Sequence, residues 1–231
     1  MQVEFMNATP LHIVAKAIRE CYNSHDKSDT TYNYETNEVE LGEKDRELIN
    51  KVGRLFKHES VLEHLVFNIR IKGVSRLLLQ EFARHRIASL SVKSTRFTLW
   101  ELKDEEPFRF EGLDGEKENR MLSRASKYIV TVPREKFDTF GEYRAFVKLQ
   151  IYQLELLRAV IENGAKKDVA KYLVPDSYRT NIAWTINARS LRNFLNLRSA
   201  KNAHFEIREL AYTVYDKMPE EYKYLFTDCI H

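Results

Sequence analysis

The chain has 231 residues, of which 43% are hydrophobic, and its 37 Lys and Arg against 34 Asp and Glu give a formal net charge of +3. This composition is typical of a globular protein, and the charge is too small to imply nucleic-acid or membrane binding by itself. Seven glycines and five prolines exclude a collagen-like or low-complexity chain. No signal-peptide pattern, apolar span, repeat or linker is visible, so we expect one domain over residues 1–231 in the cytoplasm.

The first part of the chain predicts helices around one strand. Thr9 and Pro10 predict a helix start, with Thr9 as the cap. The polar residues 23–42 predict a loop, and residues 43–56 predict a helix. Alternation over 65–72 predicts a strand, and a helix from Ser75 through Arg84 follows. The side chains expected to face inward in the two helices are Leu11, Val14, Ala15, Ile18, Tyr22, Leu48, Ile49, Val52 and Phe56.

The rest of the chain is predicted to be mainly helical. Residues 95–100 are expected to be extended, and 101–116 to be a charged loop. Alternation at 182–186 predicts a second strand. Helices are predicted at 117–131, 139–163, 166–173, 190–198, 203–217 and 219–229. Dispersed strands among many helices indicate an α+β fold, with a small twisted, mainly antiparallel sheet flanked by helices.

Cysteine and histidine spacing gives no support for a metal site. Cys21 and Cys229 lie near opposite ends of the chain and form no CxxC pair. The segment HESVLEH resembles a zinc helix, but His58 and His64 are six residues apart. That spacing turns a helix by about 240° net, so the two rings cannot share one ion. We therefore predict no metal.

A basic cluster is the clearest candidate for chemistry. The segment QEFARHRIASLSVKSTRF contains the consecutive residues 84–86, Arg-His-Arg, near a predicted helix end. Ser89, Ser91, Ser94 and Arg96 follow in a predicted loop. Guanidinium and hydroxyl groups so close together suit a phosphate or a polar heterocycle. A solvated helix end with serine caps, or a nucleic-acid patch with few aromatic side chains, would also explain the cluster.

Three segments, in order, resemble blocks of the flavin-dependent thymidylate synthases. RHRIASLSVKS resembles the family signature, which is RHR, seven residues and then Ser. HESVLEH resembles the family's HETPFEH-like segment before a strand, here LVFNIRIK. NARSLRNFLNLR, residues 187–198, resembles a second block, and VPDSYRTNIAWTI precedes it in the expected place. The chain is therefore identified as a member of this family.

The resemblance implies an enzyme that methylates dUMP to dTMP. Methylenetetrahydrofolate would donate the carbon, and FAD reduced by NADPH would supply the hydride. The resemblance also implies a homotetramer with sites shared between subunits, and neither nucleic acid nor a membrane as partner. Neither cysteine lies in a matched block, which agrees with a route that needs no enzyme nucleophile.

The resemblance also assigns residues. Arg198 is placed against the uracil ring as the catalytic residue, and residues 84–86 are expected to meet it from another subunit. Expected cofactor-binding residues are Ser24, Ser60, Glu63, Arg84, His85, Arg86, Asn187, Arg189 and Asn193. Expected substrate-binding residues are Gln80, Arg84, Ser94, Thr95, Arg96, Lys171 and Arg198.

Some of these residues have local explanations. Ser60 and Glu63 form an S-x-x-E pattern that could cap a short helix. Asn193 could bond locally, and His64 could be a packed histidine. Periodicity assigns Leu191, Phe194, Leu195 and Leu197 to the core.

The chain departs from the family pattern at several positions. Ser91 and Val92 stand where most members have Asn and Glu, and Lys171 stands for an Arg. Either Gln80 or Glu81 could face the nucleotide, and Asn202 replaces a common His. Two alternatives to the enzyme are a basic nucleic-acid-binding module and a degenerate flavin-binding member that has lost methyl transfer.

Overall fold

The computed structural model describes residues 1–110 and 115–231, which divide into two compact units. The first unit comprises Met1–Ile71, Phe82–Ser91 and Ile182–His231. The second comprises Lys72–Glu81 and Val92–Asn181, within which residues 111–114 are outside the described part. The secondary structure mixes helices with a small antiparallel sheet, so the α+β prediction is confirmed.

In the described residues, six strands form two sheets. In chain order they are β1 (Gln2–Ala8), β2 (Thr31–Asn33), β3 (Glu38–Glu40), β4 (Val66–Ser75), β5 (Ala88–Val92) and β6 (Arg179–Asn187). The larger sheet has the order β1-β4-β6-β5, and β2 pairs with β3 in an antiparallel hairpin with Thr31 opposite Glu40. The strands predicted at 65–72 and 182–186 are thus confirmed as β4 and β6, each slightly longer than predicted.

The described part of the chain contains ten α-helices. They are α1 (Leu11–Cys21), α2 (Glu43–Ile49), α3 (Arg76–Phe82), α4 (Thr95–Thr98), α5 (Gly115–Ala125), α6 (Phe140–Glu162), α7 (Lys167–Ala170), α8 (Ala188–Arg198), α9 (Phe205–Lys217) and α10 (Glu220–Lys223). A π-helix, Asn50–Leu55, follows α2. The 3₁₀ helices are His25–Lys27, Glu59–His64, Leu99–Leu102, Arg134–Lys136, Lys171–Leu173 and Thr227–Cys229. None of the described helices is both long and apolar enough to cross a membrane.

The predicted cap of the first helix is wrong. Pro10 occupies the N-cap position of α1, with no side-chain cap. Thr9 instead bonds to β4, because its Oγ1 accepts from Val66 N (3.1 Å) and its N–H donates to Val66 O (2.9 Å). The inward residues of α1 and α2 are buried as predicted, except Tyr22 and Phe56, which are exposed, and Leu48, which is half-buried.

Most of the other differences between the predicted and the observed secondary structure involve short elements. Residues 95–100 are helical rather than extended, because α4 runs directly into a 3₁₀ helix. Ser89 and Ser91 lie in β5 rather than in a loop, and the predicted loop 23–42 contains the β2–β3 hairpin. α5 is shorter than the predicted helix 117–131, and four residues of the predicted loop 101–116 lie outside the described part. The sequence prediction missed β1, where only Val3 and Phe5 alternate with polar or exposed neighbours.

An aromatic cluster holds α8 against the sheet in the first unit. Phe82, Trp184 and Phe194 pack edge to face, with ring centroids 4.6 to 5.5 Å apart. All three side chains are almost fully buried. Such contacts add about 0.5–1.5 kcal/mol per pair beyond the area that they bury. The cluster therefore fixes α8 relative to β6 and to the chain that follows α3.

The second unit is built around α6, the longest helix. Thr139 and Glu142 form a capping box at its start, with both bonds at 3.2 Å. Its buried face contributes Ile151, Leu154 and Leu157 to the core of this unit. The helix predicted at 139–163 is therefore confirmed.

Candidate active site

A cavity of about 1150 Å³ lies in the first unit. Its walls come from the residues before and within the 3₁₀ helix Glu59–His64, from the turn after α3, from α8 and from residues near the C-terminal 3₁₀ helix. Seven of the residues predicted for the site line it: Glu63, Arg84, His85, Arg86, Arg189, Asn193 and Arg198.

The Arg-His-Arg residues lie in a turn, since α3 ends at Phe82. The His85 backbone N–H donates to Phe82 O (3.1 Å), so the turn starts from the buried aromatic cluster. The His85 ring is half-buried and packs edge to face on Phe194 at 5.0 Å. Arg84 and Arg86 are exposed on the cavity wall.

α8 separates a core face from a cavity face. Leu191, Phe194 and Leu195 are fully buried, while Arg189, Asn193 and Arg198 line the cavity. The core prediction is wrong for Leu197, which is 53% exposed and also lines the cavity.

The start of α8 is capped by a residue that was predicted to bind flavin. The Asn187 side chain accepts a hydrogen bond from Ser190 N (2.8 Å) and is not among the cavity-lining residues. Its observed contact is therefore the N-cap bond, which orients the helix that carries the cavity residues.

A hydrogen bond joins the two walls that carry Arg198 and His85. Arg198 Nε donates to His85 Nε2 at 2.9 Å. An accepting Nε2 places the proton of the neutral ring on Nδ1. Both residues belong to one chain, so this contact forms within a subunit, whereas the resemblance implied that residues 84–86 meet Arg198 of another subunit.

Glu63 pairs with Arg189 across the cavity wall, with a distance of 2.7 Å from Arg189 Nη1 to Glu63 Oε1. The alternative of a Ser60–Glu63 capping box is wrong, because the 3₁₀ helix begins after His58 and has no side-chain cap. Ser60 is exposed within that helix and is not among the cavity-lining residues. His64 is exposed, so it is not a packed histidine.

Sequence reasoning missed a charged network beside the cavity. Arg192 is buried, and it donates to both carboxylate oxygens of Asp228 (2.9 and 2.8 Å) and to Leu225 O. Arg192 Nε also lies 3.5 Å from Glu59 Oε1. Hydrogen bonds from Arg192 lower the pKa of Asp228 to about 2. Only the i, i+3 spacing of Arg189 and Arg192 on the cavity helix could have indicated this network.

The two cysteines lie in different environments. Cys21 is exposed on α1. Cys229 lines the cavity, but burial raises the pKa of its thiol to about 11. Near neutral pH this thiol is protonated, and a protonated thiol is a weak nucleophile.

The remaining predicted site residues lie outside this cavity. Ser24 follows α1, and its carbonyl accepts from Arg19 Nη1 (3.0 Å). In the second unit, Gln80 Nε2 donates to Asp176 Oδ1 (3.1 Å). The other predicted residues of that unit are Ser94, Thr95, Arg96 and Lys171.

Those second-unit residues fall on neighbouring short helices. Ser94 precedes α4, on which Thr95 is buried and Arg96 is exposed. Arg96 Nε lies 3.6 Å from Asp168 Oδ1 on α7, and Lys171 follows α7 directly. Arg96 on α4 therefore lies beside α7, the helix that directly precedes Lys171.

The departures from the family pattern have clear positions. Ser91 is exposed on β5, and Val92 is half-buried at its end. Gln80 is exposed and Glu81 half-buried on α3, while Asn202 lines the cavity.

Among residues 1–110 and 115–231, no group of three His, Cys, Asp or Glu side chains could hold a metal ion.

The charges of the cavity favour an anionic ligand. Six cationic side chains line it against three carboxylates, Glu59, Glu63 and Asp228. Those carboxylates pair with Arg189 and Arg192. The cationic lining residues are Lys57, Arg84, Arg86, Arg189, Arg192 and Arg198. Guanidinium and ammonium groups in such excess suit an anionic group such as a phosphate.

Comparison with known proteins identifies the family. The family model described as thymidylate synthase complementing protein matches residues 3–222. The flavin-dependent thymidylate synthase of Wolinella succinogenes is 48% identical over 226 residues, covering 98% of this chain and 97% of that protein. The Helicobacter pylori enzyme of the same name is 45% identical, covering 100% and 99%. The chain belongs to the flavin-dependent thymidylate synthase family.

Solved structures agree with this assignment. The crystal structure of thymidylate synthase X from Helicobacter pylori with FAD and dUMP is 44% identical in sequence, with a TM-score of 0.83. The match covers 100% of this chain and 99% of that one. A second structure of the Helicobacter pylori enzyme with FAD and dUMP gives a TM-score of 0.84.

Proposed function

We propose that the protein catalyses the reductive methylation of dUMP to dTMP. Methylenetetrahydrofolate donates the carbon, and NADPH reduces the FAD that supplies the hydride. The observation that carries this proposal is the cavity in which Arg84, His85 and Arg86 face Arg198. Relatives that are 43–48% identical over the full chain bear the name of this enzyme.

The residues of the cavity fit a flavin dinucleotide. Its volume of about 1150 Å³ lies just above the usual range of ligand pockets, roughly 300–1,000 Å³, and leaves room for an extended dinucleotide. Arg84 and Arg86 offer guanidinium groups to the pyrophosphate, and Asn193 offers an amide to the polar edge of the ring system. Bound FAD would supply hydride equivalents after reduction.

Arg189 and Glu63 complete the cofactor wall. The ion pair at 2.7 Å holds the Arg189 guanidinium on the cavity surface before the ligand binds. A side chain that is already oriented loses less rotamer freedom on binding. We also propose cofactor roles for Ser60, in the 3₁₀ helix that carries Glu63, and for Ser24 and Asn187, none of which lines the cavity.

Arg198 is the proposed catalytic residue. Uracil C5 must become nucleophilic to accept a carbon, and negative charge then develops on the N3–O2 edge of the ring. His85 holds Arg198 Nε at 2.9 Å, which fixes the plane of the guanidinium. A preoriented cation at that edge stabilises the developing charge without reorganisation.

No enzyme cysteine is required in this proposal. The pKa of Cys229, raised by burial to about 11, keeps its thiol protonated, and Cys21 is exposed on α1. Activation of the uracil therefore rests on the cationic groups rather than on covalent attack by sulfur.

The second unit supplies the proposed nucleotide-binding residues. We propose that they bind the phosphate and sugar of dUMP in sites shared between the subunits of a homotetramer, with Lys171 reaching a neighbour's nucleotide. The residues are Gln80, Ser94, Thr95, Arg96 and Lys171. Arg84, which lines the cavity, is a further proposed substrate-binding residue.

An apolar stripe on α6 supports self-association. Phe146, Leu149, Tyr152 and Leu156 recur every three or four residues and are 39–63% exposed. Such a stripe on a helix surface is typical of an interface with another copy. The mass of the native protein by light scattering tests the tetramer.

We also propose that residues 1–231 work as a single domain in the cytoplasm. One family model spans both compact units, from residue 3 to residue 222, which supports the domain proposal. Limited proteolysis tests it, because a single domain would resist cleavage into two stable fragments. Cell fractionation tests the location.

Release of tritium from C5-labelled dUMP tests the proposed reaction. We expect tritium release and dTMP formation that both require FAD, methylenetetrahydrofolate and NADPH. FAD binding without dTMP would indicate the degenerate family member. A steep salt dependence of binding to nucleic acid, without flavin binding, would indicate the basic module instead.

A further inference from the structure

Lys57 has an unusual backbone conformation at the edge of the cavity. Its φ is +56°, and the other described residues with positive φ are glycines or asparagines: Asn23, Asn37, Gly73 and Gly164. A side chain with a Cβ is disfavoured in this left-handed region, and a lysine gains no local bond there to offset the cost. Residues held in such conformations cluster at functional sites.

Helix geometry explains the conformation but not the lysine. The π-helix Asn50–Leu55 ends with Phe56 N donating to Lys51 O (2.9 Å) and His58 N donating to Val52 O (3.1 Å). Lys57 lies between these two donors, at the position where helices usually end in Gly or Asn. If ending the helix were the only role of residue 57, we would expect Gly or Asn at this position.

The helix end is held firmly in place. Gly53 is buried, and a Cβ there would lie 2.7 Å from Leu62 Cδ2, so the π-helix packs closely on the 3₁₀ helix Glu59–His64. This packing fixes the turn at Lys57 relative to Glu63 and the cavity wall. The lysine is thus presented from a rigid support.

Charge pairing distinguishes Lys57 from the other cations. Arg189 and Arg192 have carboxylate partners, and Arg198 contacts His85. In the described part of the chain, Lys57, Arg84 and Arg86 have no carboxylate within 4.0 Å, although all three line the cavity. Together they can neutralise a group that carries two negative charges.

We propose that the Lys57 side chain binds the pyrophosphate of the dinucleotide cofactor. This contact with the ligand, rather than the conformation of the backbone, explains why a lysine occupies the position. The proposal rests on the proposed function, since it takes FAD as the ligand. A lysine acts on phosphate as a compact point charge, complementary to the guanidinium groups of Arg84 and Arg86.

Substitutions at residue 57 separate the side chain from the backbone. Lys57→Gly and Lys57→Asn tolerate the left-handed conformation without the charge, so we expect Tm to rise by about 2–4 °C. The same variants should bind FAD roughly 3- to 10-fold more weakly. Lys57→Arg should stay within about twofold of the wild type, because the charge is kept.

The ligand series tests the group that is bound. FAD and riboflavin are titrated against the apoprotein by flavin fluorescence, and riboflavin affinity should be unchanged in Lys57→Asn because riboflavin has no phosphate. Lys51→Asn is the control, since Lys51 lies over Phe56 and is not among the cavity-lining residues. It should bind FAD as the wild type does.

The outcomes distinguish this proposal from the function on which it rests. If the wild type binds FAD and Lys57→Asn binds it equally well, Lys57 is only a helix end and the proposal is overturned. An equal loss of riboflavin affinity would also overturn it. If the wild type binds no FAD, the proposed function and this proposal both fail.

Discussion

The Arg192–Asp228 pair should make a measurable, pH-dependent contribution to stability. Asp228→Asn keeps the shape of the side chain and removes its charge, leaving the Arg192 guanidinium with a neutral partner. Breaking a fully buried pair costs about 3–5 kcal/mol, and an exposed pair is worth about 0–1 kcal/mol. The Arg192 side chain is 9% exposed and that of Asp228 is 42% exposed.

The intermediate exposure sets the expected size of the effect. Since solvent screens the Asp228 side of the pair and Glu59 remains 3.5 Å from Arg192, we expect a loss of about 1–3 kcal/mol in the free energy of unfolding. For a chain of this size that corresponds to a fall in Tm of about 2–12 °C.

The sign of the pH dependence follows from the pKa. The Asp228 carboxyl titrates near 3.8 when unfolded and at about 2 when folded. A lowered folded-state pKa gives stability that is fully present above the unfolded value and is lost as the pH falls from 3.8 towards 2. The difference between wild type and Asp228→Asn should therefore be constant above about pH 5 and shrink below pH 4.

Urea unfolding of the ligand-free protein at a series of pH values measures this difference. Asp138→Asn is the matched control, because Asp138 is exposed and, in the described part of the chain, has no cation within 4.0 Å. Equal stability of Asp228→Asn and wild type at pH 7 would show that the Arg192–Asp228 pair does not stabilise the fold. A difference that persists unchanged to pH 2 would show that lost packing, rather than lost charge, is the cause.

Three further predictions concern activity. Arg198→Ala should keep FAD bound, while kcat/KM for dUMP falls roughly 10- to 150-fold. An unchanged kcat/KM would show that Arg198 does not act on the uracil ring. The double variant Cys21→Ala, Cys229→Ala should keep most of its turnover. If the folded variant lost more than about a hundredfold in kcat, near 2.7 kcal/mol, a cysteine would have to take part in the reaction. Refolding Arg198→Ala together with Lys171→Ala should yield more activity than the two refolded separately if sites are shared between subunits. Verified mixed oligomers that show no gain would place both residues in the same chain's site.

Periodicity and the signature motif were enough to predict most of the long regular elements and the chemistry of the Arg-His-Arg segment. The strict alternation in β4 and β6 required half-buried strands, because side chains of period two can face a core only in that form. The helix predicted at 139–163 was likewise confirmed as α6. The family blocks gave the flavin and dUMP assignment, since Arg-His-Arg, Arg189 and Arg198 could be read directly from the chain.

How these residues meet depends on contacts between distant parts of the chain. Thr9 bonds to Val66 rather than capping α1, because a partner 57 residues away competes for its hydroxyl. The contact of His85 with Arg198 spans 113 residues, and that of Arg192 with Asp228 spans 36. Local propensity contains no information on pairs so far apart. The first pair forms because packing of Phe194 on Phe82 brings α8 to the turn after α3, and the second because the C-terminal 3₁₀ helix lies beside α8. The left-handed backbone of Lys57 was equally hidden, since a lysine gives no local signal for positive φ.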